Sequence, residues 1–250
     1  MIRRLVTGIA VLTGLSLAAP AAAVINGAPD GERHPNVGGL VAPEAYSDGT
    51  WIYCSGTLVS PTVFLTAAHC DDDGSRVRVT FSSAYEDGDK TYSGTFEADP
   101  RYPGAQNSTF DLAVVVFDNP VKGITPATLP AEGSLSELPA NQPFTSVGYG
   151  AYEVTNEPGG HRYLYDDVRM MATGSLNATN KTWLRISGNA ATGDGGTCYG
   201  DSGGPNFLGG TGTVASTTIT GDAVCRATNV TYRLDTASAR SFLSDYVKLP

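Results

Sequence analysis

The sequence predicts an all-β domain, a sandwich or barrel closed by one terminal helix. Three observations predict it. Short runs that alternate apolar and polar residues recur along the chain, as half-buried strands do. Turn formers punctuate them, with 30 Gly and 15 Pro in 250 residues and only 16% of residues charged. Helical spacing of apolar residues occurs convincingly only near the end of the chain.

The first element is a leader. Arg3 and Arg4 form a basic end, 5–17 is an apolar run, Pro20 breaks it, and three alanines at 21–23 fit a signal-peptidase site. The run is short for a membrane anchor, so residues 1–23 are expected to be a secretory signal and the exported chain to begin at Val24. No later segment approaches a spanning length, so no membrane association is expected once the signal is removed. The net charge is −9, and loss of Arg3 and Arg4 makes the chain more acidic. Such a chain is a poor partner for nucleic acid or anionic lipid, and its charge reads as solubility.

The strands are expected in "GTLVSPTVFLTAA" (56–68), "RVRVTF" (76–81), "KTYSGTFEA" (90–98), "DLAVVVF" (111–117), "FTSVGYG" (144–150), "TWLRIS" (182–187), "GTVASTTIT" (212–220) and "VTYRL" (230–234). The segments "DGDK" (87–90) and "NEPGGHR" (156–162) read as exposed turns or loops. Residues 119–143 are rich in Pro, Ala, Ser and Glu and read as a crossing between two halves, 24–130 and 131–250. The last element is a helix over "ASARSFLSDYVKL" (237–249), capped by Asp235 or Thr236, with Phe242, Tyr246 and Leu249 on one side. Four cysteines in an exported chain imply two disulfides, and their order leaves all three pairings open. Their spacing suggests no metal site.

Chemistry begins at "GDSGGP" (200–205). Ser202 needs a base. The G-x-S-x-G pattern also fits the elbow of α/β-hydrolases, but there the histidine follows the serine. Here His34, His69 and His161 all precede it, and "GDGGTCYGDSGGPN" reads as loop on both sides. An esterase of that type is therefore excluded, and the order His, Asp, Ser remains. His69 ends an apolar run in "LTAAHC", whereas His34 and His161 lie in Pro- and Gly-containing segments expected to be solvated. Asp111 stands at the mouth of a buried-looking strand, where a carboxylate needs a partner against desolvation. The acids at 71–73 read as a solvated loop.

The strings "TAAHC" (66–70), "DLAVVVF" and "GDSGGP" resemble the three hallmark motifs of the chymotrypsin/trypsin family of serine proteases. "VINGA" (24–28) resembles that family's processed N-terminus, and "TYRLD" (231–235) with a helix after it resembles its C-terminal end. The lean cysteine pattern is similar to that of secreted bacterial members. The resemblance implies two antiparallel six-stranded β-barrels with the site between them and a C-terminal helix. It implies Ser202 as nucleophile, His69 as base then acid, Asp111 as its orienting carboxylate, and the N–H groups of Gly200 and Ser202 as oxyanion donors. It pairs Cys54 with Cys70 and Cys198 with Cys225. It puts Gly196 at the floor of the primary specificity pocket and Thr220 and Asn229 at its walls, so an uncharged, narrowed pocket is expected to take small to medium apolar side chains rather than Arg or Lys. It makes Asp201 the partner of a Val24 ammonium, a latch that senses N-terminal processing by signal peptidase itself. No cofactor is implied, the substrates are proteins or peptides, and a secreted monomer is expected. A protease-like binding module without catalysis is the competing reading, and the intact His69, Asp111 and Ser202 oppose it. Asn107, Asn177, Asn180 and Asn229 begin glycosylation sequons.

Overall fold

A computed structural model describes residues 24–70, 76–105 and 108–250. The expected signal at 1–23, the acids at 71–73 and Asn107 lie outside the described residues. The chain folds as two closed antiparallel barrels of six strands each. A short strand β1 (Ala28–Pro29) precedes them. The first barrel follows, from β2 (Val37–Val41), β3 (Ile52–Ser60), β4 (Val63–Thr66), β5 (Arg76–Thr80), β6 (Thr91–Ala98) and β7 (Ala113–Phe117). It closes in the order β2-β3-β4-β7-β6-β5, with β5 returning to β2.

An irregular connection through residues 118–142 leads to β8 (Pro143–Gly148). A hairpin, β9 (Glu153–Glu157) and β10 (Gly160–Leu164), stands outside the second barrel. That barrel is completed by β11 (Met170–Thr179), β12 (Trp183–Ser187), β13 (Pro205–Leu208), β14 (Val214–Gly221) and β15 (Thr228–Arg233). It closes because β8 pairs with both β11 and β13.

Every strand expected from alternation forms, and the unexpected ones have physical causes. β2 is buried along its whole length and carries two glycines, so it shows no alternation. Gly56 of β3 is equally constrained, since a Cβ there would lie 2.4 Å from the Phe64 ring. "NEPGGHR" is a hairpin rather than a loop: Pro158 and Gly159 turn, and Asn156 pairs with His161. The segment after Ser202 is likewise no loop, because Pro205 and Asn206 begin β13 and are buried between β8 and β14.

The terminal segments exchange between the halves. β1 pairs with β11 of the second barrel. Arg169, fully buried there, bonds Asp30 through Nε at 2.9 Å and donates from Nη1 to the carbonyls of Val37 and Phe81. Burial would push the Asp30 carboxyl up, but hydrogen bonds from His34 and Arg169 hold it below the usual carboxylate range. His34 is thus part-buried rather than solvated, with Nδ1 2.5 Å from Asp30 Oδ1 and its ring stacked on Phe207. His161 is exposed in β10.

At the other end Thr236 caps α1 (Ala237–Leu243) by accepting from the Ala239 N–H at 3.1 Å. The helix stops earlier than its apolar spacing predicts, although Tyr246 still packs on Phe242. Asp235 is not a cap; it binds Arg233 and accepts from the Leu135 N–H. Tyr246 donates to Glu97 and Arg101 donates to the Ser238 carbonyl, so the helix leans on the first barrel. No helix among the described residues is long and apolar enough to cross a membrane.

Candidate active site

His69 sits in a 3₁₀ turn (Ala68–Cys70) directly after β4, and Asp111 lies just ahead of β7. β4 and β7 are neighbours, with Thr66 opposite Ala113, and this register brings the two side chains together. Asp111 is fully buried. Its Oδ1 accepts from the His69 backbone N–H at 2.9 Å and its Oδ2 from Nδ1 at 2.8 Å. A carboxylate only accepts, so Nδ1 carries the ring proton and Nε2 is left as an acceptor. Nε2 is buried and has no hydrogen-bond partner among the described residues. The Cys54–Cys70 disulfide ties the turn to β3.

Ser202 comes from the second barrel. Its loop is hung between the halves: the Ser55 N–H of β3 donates to the Ser202 carbonyl at 2.8 Å, and the Gly203 N–H donates to the Thr218 carbonyl of β14 at 2.8 Å. Gly200 and Gly203 both have left-handed φ, +93° and +81°. A Cβ at Gly203 would meet Thr66 Oγ1 at 2.1 Å, so glycine is required for shape and for space. The N–H groups of Asp201, Gly203 and Gly204 are bonded within this frame, whereas those of Gly200 and Ser202 donate to no described residue. His69, Gly200 and Ser202 line one cavity of about 700 Å³, together with Tyr46, Asp48 and Tyr165.

On the other side of Ser202 lies a much smaller pocket of about 40 Å³, against Thr197, Thr218, Thr220 and Cys225. Thr220 lines it; Gly196 and Asn229 do not. Gly196 is held in a bridge with Ile25 and faces Gly188. Asn229 is buried inside the second barrel, its Nδ2 donating to Asn206 Oδ1 at 2.9 Å, and this burial also leaves its sequon inaccessible. Asn177 and Asn180 are exposed. Cys198–Cys225 ties the Ser202 loop to the rim of the small pocket.

A profile of the trypsin family matches residues 37–240. The chain belongs to the trypsin family. Among its relatives, a trypsin of Phaedon cochleariae is 30% identical over 175 residues, 63% of this chain and 65% of that protein. Snake venom serine protease KN1 of Trimeresurus stejnegeri is 30% identical over 180 residues, 64% of each chain. The match thus spans slightly under two thirds of the length of each. The solved structure of HL collagenase shares the fold with a TM-score of 0.63 at 18% identity, covering 86% of this chain and 95% of that one.

Within the trypsin-family frame, Asp201 turns away from Ser202. It is fully buried, accepting from the Gly150 N–H at 2.9 Å and from the Cys198 N–H at 2.8 Å. Burial pushes its carboxyl up to about 7, which the two backbone donors only partly oppose. Val24 is buried beside Met170 and Ala172. Sequence reasoning missed Ser55, whose hydroxyl donates to the Gly200 carbonyl at 2.9 Å. It also missed Gly150 and Thr218. These residues meet the loop only through tertiary pairing, and nothing in their local sequence marks them.

Proposed function

We propose that this protein is a secreted serine endopeptidase acting on proteins or peptides through an acyl-enzyme. The observation that carries the reading is the Asp111-bonded His69, whose Nε2 is left without a hydrogen-bond partner among the described residues and which lines one cavity with Ser202.

In this reading Ser202 Oγ attacks the substrate carbonyl carbon and its proton passes to His69 Nε2. Asp111 stabilises the imidazolium and keeps Nε2 aimed at the serine. The oxygen, now an anion, accepts from the two otherwise unengaged N–H groups, those of Gly200 and Ser202. The C–N bond then breaks as His69 returns the proton to the leaving amine, and water repeats the sequence to release the acid. The small volume of the pocket beside Thr220 favours small to medium apolar side chains on the acyl side, and the one carboxylate on its lining, Asp222, is engaged by the N–H groups of Arg226, Ala227 and Thr228. Export is supported by the leader-like 1–23 and by two disulfides, which persist in oxidising compartments. Asp201 would take the Val24 ammonium as its counter-charge after processing.

A fluorophosphonate probe should label the wild type at Ser202 and leave Ser202→Ala unlabelled. Absence of labelling in a folded wild-type protein would overturn the reading. A peptide library should show little cleavage after Arg or Lys; a strong preference for them would overturn the pocket assignment. The N-terminal residue of the secreted, active protein should be Val24, and any other first residue would refute processing by signal peptidase alone.

A further inference from the structure

Ser55 has no part in the chemistry above, yet it holds the loop that performs it. It lies in the middle of β3 and is fully buried. Its N–H donates to the Ser202 carbonyl at 2.8 Å, and its Oγ donates to the Gly200 carbonyl at 2.9 Å. The same Oγ accepts from the Tyr149 N–H at 3.0 Å. The Gly200 carbonyl it grips lies in the 200–201 peptide, the link between the two peptides that carry the Gly200 and Ser202 N–H groups; those two are anchored by Ala151 N–H to the Tyr199 carbonyl at 2.8 Å and Gly204 N–H to the Asp201 carbonyl at 2.9 Å.

The third bond closes a ring. Tyr149 is followed by Gly150, whose N–H is held by the Asp201 carboxylate, and Asp201 is joined to Gly200. Ser55 and Asp201 therefore clamp consecutive amides, at 149 and 150, and consecutive residues of the nucleophile loop, from opposite sides. Gly200 has no side chain and sits at φ +93°, so the torsion that links the two donor peptides is freer there, and the Ser55 bond to its carbonyl restrains it. Removing the Ser55 hydroxyl frees this middle peptide to rotate and with it the angle between the two donors.

We propose that Ser55 is a positioning residue: from the first barrel, its hydroxyl fixes the 200–201 peptide and hence the relative orientation of the two oxyanion donors on either side of it. The inference rests on the serine-protease reading above. A serine that only stabilised the fold would change the fraction of folded protein and leave turnover per competent site unaltered. A positioning serine changes turnover itself.

The test is turnover of a peptide amide by Ser55→Ala and Ser55→Gly, normalised to sites counted by fluorophosphonate titration. Ser55→Ala should lower kcat about tenfold, equivalent to about 1.4 kcal/mol of transition-state stabilisation, and Ser55→Gly by less, each with KM within twofold of the wild type. Affinity for a peptide aldehyde, which forms the oxyanion, should fall in parallel. Ser55→Gly leaves room for water to replace the hydroxyl, so it should fold if Ser55→Ala does not, and its kcat should lie between the other two. Wild-type kcat per titrated site in whichever variant folds overturns the proposal. Loss of labelling in the wild type overturns the protease reading and this inference with it, which separates the two failures.

Discussion

The first barrel closes around Leu40, Leu58, Phe64, Leu65 and Val115, all fully or almost fully buried, whereas the second encloses Ser146, Asn206, Ser216, Asn229 and Thr231. In the first, Phe64, Phe81 and Phe117 lie within 5.8 to 6.3 Å of one another, a non-directional packing that tolerates no void. In the second, Asn206 is a hub: its Oδ1 accepts from Ser146 and Asn229, and its Nδ2 donates to Thr218. Both β13 and β14 shift register beside this hub, at Asn206/Phe207 and Thr218/Thr220. The first barrel shifts register as well, at Leu40/Val41 and Leu58/Ser60, so irregularity itself does not separate the halves; what differs is that in the second barrel directional bonds flank the shifts. The irregularity matters because Thr218 binds both Gly203 and Gly204, the residues after Ser202. One barrel supplies stability and a fixed His69–Asp111 pair, and the other spends apolar burial on the shape of one loop.

The sharpest way to break this comparison is a void in the first barrel. Phe64→Ala removes a fully buried ring in contact distance of Gly56. It should cost about 3–5 kcal/mol, read as a lower denaturant midpoint at unchanged m, with hydrolysis per titrated site preserved. A loss below about 1 kcal/mol would show that this core is not the main source of stability.

The second prediction concerns the charge buried in the other half. While Val24 is still an amide, Asp201 has no counter-charge, and its carboxyl stands at about 7 against an ordinary 3.8. The folded state therefore holds its proton more tightly than the unfolded chain does. The stabilisation is complete below pH about 4 and is lost as pH rises to about 7, by on the order of 4 kcal/mol. A free Val24 ammonium favours the carboxylate and removes this loss. Urea midpoints of Ser202→Ala protein with and without residues 1–23 should diverge between pH 4 and 7. Parallel curves would sink the latch.

Alternation made the half-buried strands legible, and motif order singled out His69, Asp111 and Ser202, of which the fold pairs His69 with Asp111 and sets His69 and Ser202 on one cavity, because both signals are local or follow chain order. What was not legible depends on partners distant in sequence. β2 shows no alternation because both its faces are buried, one against the Phe64 and Phe81 rings at Gly38 and the other against Ile52 at Gly39. β13 was hidden in a glycine-rich stretch that becomes a strand only when β8 and β14 flank it. His34 looked solvated because the Asp30–Arg169 pair that holds it spans 139 residues. Ser55 sits next to Cys54, and only folding sets it against Gly200.

The smallest effect is expected where the second barrel has a flaw. Asn229 Oδ1 is buried and without a hydrogen-bond partner among the described residues. An unpaired buried acceptor costs about 1–3 kcal/mol, and Asn229→Ala removes it. The same substitution removes the Nδ2 bond to Asn206 Oδ1, but that oxygen still accepts from Ser146 at 2.6 Å. Relief of the orphan and loss of one bond with some packing volume nearly offset, so stability should stay within about 1 kcal/mol of the wild type. Asn206→Ala, by contrast, strands both the Ser146 hydroxyl and the Asn229 amide and should cost more than Asn229→Ala. If the two cost the same, Asn206 is not the hub, and the register of β13 and β14 is held by packing as in the first barrel.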